Sequence, residues 1–207
     1  MARPKGQIQD WLTTAYLTTG QTGVDVGASD GTFSRRMSEA VGPTGRVIAI
    51  EPLLAHQRKI RALALPNVVL YCGAVWSSSG DRVLHECGSE SSLIADACNS
   101  PKGTSTVTTW RLDDLVDHAD LVKIDAQGAE VAILDGAPRL LARCPTWIVE
   151  LWPVGLGAAK SSGQALVSRF WDAGFTLWWA DGEMMTQTTY DDFEGGGQVY
   201  VNILATR

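Results

Sequence analysis

The chain has 207 residues, 45% of them hydrophobic, which is enough for one good core and reads as a single domain spanning 1–207. A net charge of −6 and a pI near 5.0 leave no electrostatic footprint for nucleic acid, and no apolar run approaches the roughly 20 residues of a membrane span. Cysteines 72, 87, 98 and 144 form no Cys-x-x-Cys pair and Met1–Gln7 leads into no apolar leader, so free thiols and a cytoplasmic location are expected.

In chain order, Ile8, Trp11, Leu12, Ala15 and Tyr16 recur at helical spacing and predict a helix over 7–19. The stretch from 22 to 53 organises everything after it. An apolar run carrying Asp25 enters a turn at Gly27-Ala28-Ser29-Asp30-Gly31, and a helix over Thr32–Val41 stops at Gly42-Pro43-Thr44-Gly45. A second apolar run then ends in Glu51-Pro52. This is a βαβ unit of the kind that holds a nucleotide. A dinucleotide turn needs glycines one residue apart, and Gly27 is followed by three other residues before Gly31, which speaks against an NAD-linked oxidoreductase.

A helix over 56–65 and a strand over 68–72 follow, leading into Gly73 and Ala74, whose backbone groups lie beside the base in a nucleotide-binding reading. Trp76 reads as core. Residues 77–106 turn rich in Ser, Gly and Asn, with alternating runs at 82–86 and 105–112, which predicts an inserted hairpin with a long loop between its arms. Such loops are often functional covers, so His85, Ser91, Ser92 and Leu93 are candidates to face a substrate. Asp113 and Asp114 open a short helix over 115–118 and read as capping acids rather than a metal pair.

Next comes a buried strand ending at Asp125, a glycine turn at Gln127-Gly128, and a helix with Glu130 in its first turn; another strand, 146–151, carries Glu150. Ligands of open α/β sheets sit beyond the carboxyl ends of the strands, where Asp25, Glu51, Asp125 and Glu150 converge. These acids read as holders of cofactor or substrate hydroxyls. Asp125 and Glu150 also read as a candidate Mg2+ pair, the alternative being an ion pair of Glu150 with Lys123 or an arginine. The tail predicts a helix over 164–173, a strand over 175–179 with Trp178 and Trp179 on opposite faces, a mobile polar loop over 181–198, and a last strand.

VDVGASDGTFS, GRVIAIEP, LDDL, DLVKIDAQGAEVAILDGA and the IVEL strand, in this order from about 22 to 152, resemble the FkbM family of class I S-adenosylmethionine (SAM) methyltransferases. The resemblance implies a Rossmann-like α/β fold with helices on both faces. Its seven-stranded sheet is mostly parallel and closes with a C-terminal antiparallel hairpin. It implies O-methylation of a hydroxyl on a small molecule or sugar, with no nucleic-acid partner, and leaves room for a homo-oligomer. A cofactor bed of Asp25, Gly27, Ala28, Ser29, Gly31, Glu51, Pro52, Gly73, Ala74 and Asp125 follows, with Glu51 on the ribose hydroxyls. Asp125, supported by Glu150 and Glu130, becomes the expected catalytic acid set, and His85 a secondary candidate for the base. Two positions depart from the family pattern: Ser29 stands where asparagine is usual, and Gln127 where a glutamate is common. That missing charge gives some weight to an alternative, a non-catalytic regulatory or scaffold protein that binds SAM or its demethylated product.

Overall fold

The computed structural model describes residues 15–98, 100–179, 182–195 and 200–207. Most of the helix predicted over 7–19 lies outside them; Ala15 and Tyr16 are helical, and Leu17 is buried. The βαβ unit comprises β1 (Thr22–Val26), α1 (Thr32–Val41) and β2 (Arg46–Ile50), followed by α2 (Leu54–Ala62) and β3 (Val68–Tyr71). The inserted region holds β4 (Ala74–Val75), β5 (Gly80–His85) and β6 (Thr104–Trp110). The second half runs through α3 (Leu112–Leu115), β7 (Leu121–Ile124), α4 (Glu130–Asp135), α5 (Pro138–Arg143) and β8 (Thr146–Leu151). It ends with α6 (Pro153–Ala158), α7 (Gly163–Asp172), β9 (Thr176–Trp179), α8 (Gln187–Gly195) and β10 (Val201–Thr206).

Seven strands form one sheet in the order β3-β2-β1-β7-β8-β10-β9. All neighbours are parallel except β10, which runs antiparallel to both β8 and β9. The near-continuous apolar strands follow from this topology, because a parallel strand covered on both faces has no solvent side to alternate with. All four residues of β7 and all six of β8 are buried. One face packs Trp147, Phe170 and Phe175 in edge-on contact with α4 and α7 above them; the other packs Met37 and Val41 of α1 with Leu17. The order reverses direction between β1 and β7. Their carboxyl ends therefore diverge into a crevice, where an open sheet binds its ligand.

The insertion is a small sheet, β4-β6-β5, with β5 and β6 antiparallel from Gly80↔Thr109 to His85↔Thr104. It leans on β3 through an edge contact between Trp110 and Tyr71, and Trp76, half-buried, lies under the Arg82 guanidinium.

Three expectations change. Cys87 and Cys98 form a disulfide that closes the loop of the insertion, so only Cys72 and Cys144 are free. Their spacing of 11 residues in a loop-rich stretch hid the pairing, and the argument for a reducing compartment now rests on two thiols. The helix near Asp113 starts earlier, at Leu112, and the Asp113 carboxylate accepts from the Arg139 and Leu140 amides, capping α5 rather than its own helix. The polar stretch after β9 holds α8, pinned by the buried Tyr190, where Asp191-Asp192 had suggested a mobile loop; the glycines at 196 and 197 lie outside the described residues. Among the described residues, no helix is long and apolar enough to cross a membrane.

Candidate active site

The turn after β1 is built to bring backbone close to a ligand. Gly27 has φ 71°, and a Cβ there would strike the Asp125 carbonyl oxygen, so only glycine lets the turn pass the end of β7. Gly27 and Ala28 donate to the Ile50 carbonyl at 3.1 and 3.2 Å. Ser29 is left-handed at φ 53° and donates its amide to Glu51 Oε2 at 2.8 Å. The Leu53 amide donates to Glu51 Oε1, also at 2.8 Å. Each carboxylate oxygen can accept two hydrogen bonds, so the Glu51 carboxylate is oriented by the backbone with capacity left for a diol. His56, on the first turn of α2, places Nδ1 3.7 Å from Glu51 Oε1.

Asp25 lies beneath this turn. It is fully buried, accepts from Ser34 Oγ at 2.7 Å and pairs with Lys123 Nζ at 3.1 Å. The same ammonium donates to the Gly27 carbonyl at 3.1 Å and sits over the Phe33 ring. Burial works against the charge on Lys123, but Asp25, Asp125 and Glu150 outweigh it and raise its pKa. The lysine predicted as a partner for Glu150 is therefore anchored on Asp25, and Asp25 supports the glycine turn from below.

Across the crevice, the turn after β7 carries Gln127 at φ 53°. Its side-chain amide nitrogen donates to Asp125 Oδ1 at 2.8 Å and to Glu150 Oε2 at 3.1 Å. Glu130 fixes the turn from below: its Oε1 accepts from the Ala126 and Gly128 amides at 3.0 and 3.3 Å. The other oxygen is buried with no hydrogen-bond partner among the described residues, and burial pushes the Glu130 carboxyl up to about 7. The cover docks on the same turn, with Ser92 Oγ donating to the Gln127 carbonyl at 2.8 Å and accepting from the Ile94 amide at 3.0 Å. Backbone bonds in both directions join Ser92 to His85.

Between these walls lies a partly open cleft. Of the predicted residues, Gly27, Ser29, Glu51, Pro52, Ala74 and Asp125 line it, as do Ser91, Ser92 and Leu93 from the cover. Asp25, Ala28, Gly31, Gly73, Glu130, Glu150 and His85 stand outside the lining and support it. A Cβ on Gly31 would meet Leu63, just past the end of α2; on Gly73 it would meet the Thr108 carbonyl and the Trp110 ring, so Gly73 serves the fit of the inserted sheet. His56 and Gln127 also line the cleft. His56 went unnoticed in the sequence although it follows the Glu51-Pro52 corner within one helical turn; Gln127 was visible there only as a lost charge.

The acid pair does not suit Mg2+. A donor group, the Gln127 amide, stands between Asp125 and Glu150 where a cation would need acceptors. Among the described residues, no group of three or more His, Cys, Asp or Glu side chains is placed to hold a metal ion. The site does suit SAM: an oriented carboxylate at the end of β2, a turn open to close backbone approach, and apolar walls from Ile50, Val75 and Ile133.

A model of the methyltransferase FkbM domain matches residues 25–177, most of the chain. The chain belongs to this family. No curated protein matches the sequence. Among solved structures, the FkbM domain described here is similar to the FkbM methyltransferase of Methylobacillus flagellatus (13% identity, TM-score 0.58). The alignment covers 91% of this chain and 44% of that protein, so the chain spans less than half of that relative's length. It is also similar to precorrin-6y C5,15-methyltransferase of Geobacter metallireducens (17% identity, TM-score 0.55, 96% of this chain and 86% of that one). A third is Aeropyrum pernix fibrillarin, with natively bound SAM (14% identity, TM-score 0.54, 97% and 74%). At these identities, the likeness of the FkbM domain to its structural neighbours is one of fold.

Proposed function

We propose that this FkbM domain, residues 1–207 as one unit, is a SAM-dependent O-methyltransferase that acts on a hydroxyl of a small-molecule or carbohydrate acceptor. One observation carries the reading. Glu51 and Asp125 line the same cleft from the ends of β2 and β7, with the Gly27 turn between them, and no Lys or Arg is among the described residues of the lining. An acidic cleft favours a sulfonium cation and an uncharged acceptor over a phosphorylated one.

Bound SAM supplies an electrophilic methyl group. Glu51 would hold the ribose hydroxyls, and the backbone of Gly27 and Ser29 would give the cofactor its close approach. Asp125 orients the acceptor hydroxyl and takes its proton, while Glu150, joined to it through Gln127, and Glu130, under the turn, keep it in place. Positioning supplies most of the rate and the base a further ~10²–10⁴-fold.

Calorimetric titration with S-adenosylhomocysteine (SAH), beside NAD as a control, tests the cofactor. Micromolar binding of SAH alone is expected, and a preference for NAD would overturn the reading. A screen of hydroxylated acceptors then tests the base: Asp125→Asn should lower turnover by about 100-fold or more while SAH binding changes far less. Full turnover in that variant would remove Asp125 from the role.

A further inference from the structure

Two carboxylates that share a small space repel one another unless a cation, a proton or a hydrogen-bond donor stands between them. In this chain the group between Asp125 and Glu150 is the Gln127 amide, and chemistry fixes its orientation. Both partners accept, so the nitrogen must face them, and its two hydrogens are divided between the two acids. Among the described residues, the Lys123 ammonium lends its field to both acids and contacts Asp25, the Gly27 carbonyl and Phe33.

The frame around Gln127 is stiff. Its backbone is held left-handed, Glu130 takes the amides on either side, and Gly128 packs so tightly on Gly155 that a Cβ would come within 2.6 Å of the Gly155 carbonyl oxygen. The Gln127 carbonyl, at the same residue, receives the Ser92 hydroxyl of the cover. We propose that Gln127 is a positioning residue that fills the role of a bridging cation, holding Asp125 and Glu150 together without metal and tying that pair to the seated cover. The proposal rests on the assignment of Asp125 to the cofactor and acceptor edge.

A carboxylate in place of the amide puts three acidic side chains around one point, the donor set a divalent cation seeks. Gln127→Glu and Gln127→Met should therefore behave differently, although either one removes the bridge. Thermal melts and SAH titrations of the full chain, in EDTA and in millimolar Mn2+, separate them. The wild-type protein should give the same melting temperature and SAH affinity in both buffers. Gln127→Glu should melt lower in EDTA and bind SAH about tenfold more weakly, the size of one lost hydrogen bond to a charged group, and recover both in Mn2+. Gln127→Met should be impaired in both buffers with no response to the cation, a contrast that a purely structural role would not produce.

A cation response in the wild-type protein overturns the proposal, as does its absence in Gln127→Glu. If Gln127→Glu folds in neither buffer, Gln127→Met decides: wild-type SAH affinity in that variant is equally fatal. If the wild-type protein binds no SAH, the cofactor assignment falls, and the melting temperatures in the two buffers still test the bridge.

Discussion

Glu130 is fully buried, with one oxygen serving two backbone amides and the other serving none among the described residues. Burial raises its carboxyl from 4.5 to about 7 in the folded protein. Between those values the native state keeps a proton that the unfolded chain has released. Stability from this group is therefore fully present below about 4.5 and lost as pH rises through about 7. The difference is on the order of 3 kcal/mol at most. Glu130→Gln keeps an oxygen for the Ala126 and Gly128 amides and removes the titration. Its melting temperature relative to wild type should climb between pH 5 and pH 8, and a difference that stays flat with pH would show that Glu130 does not titrate there. Glu51 presents a simpler case, since its carboxylate is already oriented by the Ser29 and Leu53 amides. Glu51→Gln should weaken SAH binding by about tenfold or more in the calorimeter while leaving the fold intact.

The inserted sheet supplies most of what was illegible in the sequence. Its two arms were readable from alternation, yet the loop between them carries the residues that face the cleft, and nothing in their spacing showed that Cys87 and Cys98 meet. In the oxidised protein this cross-link closes an 11-residue separation, which should stabilise the fold by about 2–3 kcal/mol. Thiol titration of unfolded protein should find two reactive groups before reduction and four after. The Cys87→Ser, Cys98→Ser double variant should exchange amide hydrogens faster over residues 88–98 than over β7; equal protection of the loop with and without the bond would mean that Ser92 and the contacts of 95–97 with α6 suffice to seat it. The parallel strands were legible because burial on both faces leaves continuous apolar runs, and the placing of Glu51 and Asp125 at the cleft was legible because each acid closes such a run. Besides His56, two features escaped. Gln127 acts through an amide whose meaning depends on two acids brought beside it by β7 and β8, and α8 was hidden because its anchor is Tyr190 set in a polar segment.

Function at the level of the fold follows from the reversal of strand order, which places the ends of β1, β2 and β7 and the cover around one cleft and leaves the β9-β10 edge on the far side of the sheet. A ligand in that cleft touches elements that are distant in sequence, so binding should tighten them together. At SAH concentrations 100 times Kd, the stabilisation is about 2.7 kcal/mol. For a chain of this length, each kcal/mol raises the melting temperature by about 2–4 °C, so a rise of roughly 5–11 °C is expected on those grounds. Hydrogen exchange should slow at residues 26–31, 50–53, 88–93 and 125–129, with little change in β9 and β10. Protection spread evenly over the sheet would indicate that SAH stabilises the native state globally without using this cleft. Protection concentrated at the β9-β10 edge would place the ligand on the wrong side of the sheet. The two halves of the cleft also make separable predictions: Glu51→Gln should reduce the protection of every segment together, because cofactor affinity falls. Ser92→Ala should release 88–93 while 26–31 and 50–53 remain protected, because the tether of the cover to Gln127 and the bond from the Ile94 amide within the cover are cut, and no contact of the Gly27 turn or Glu51 is touched.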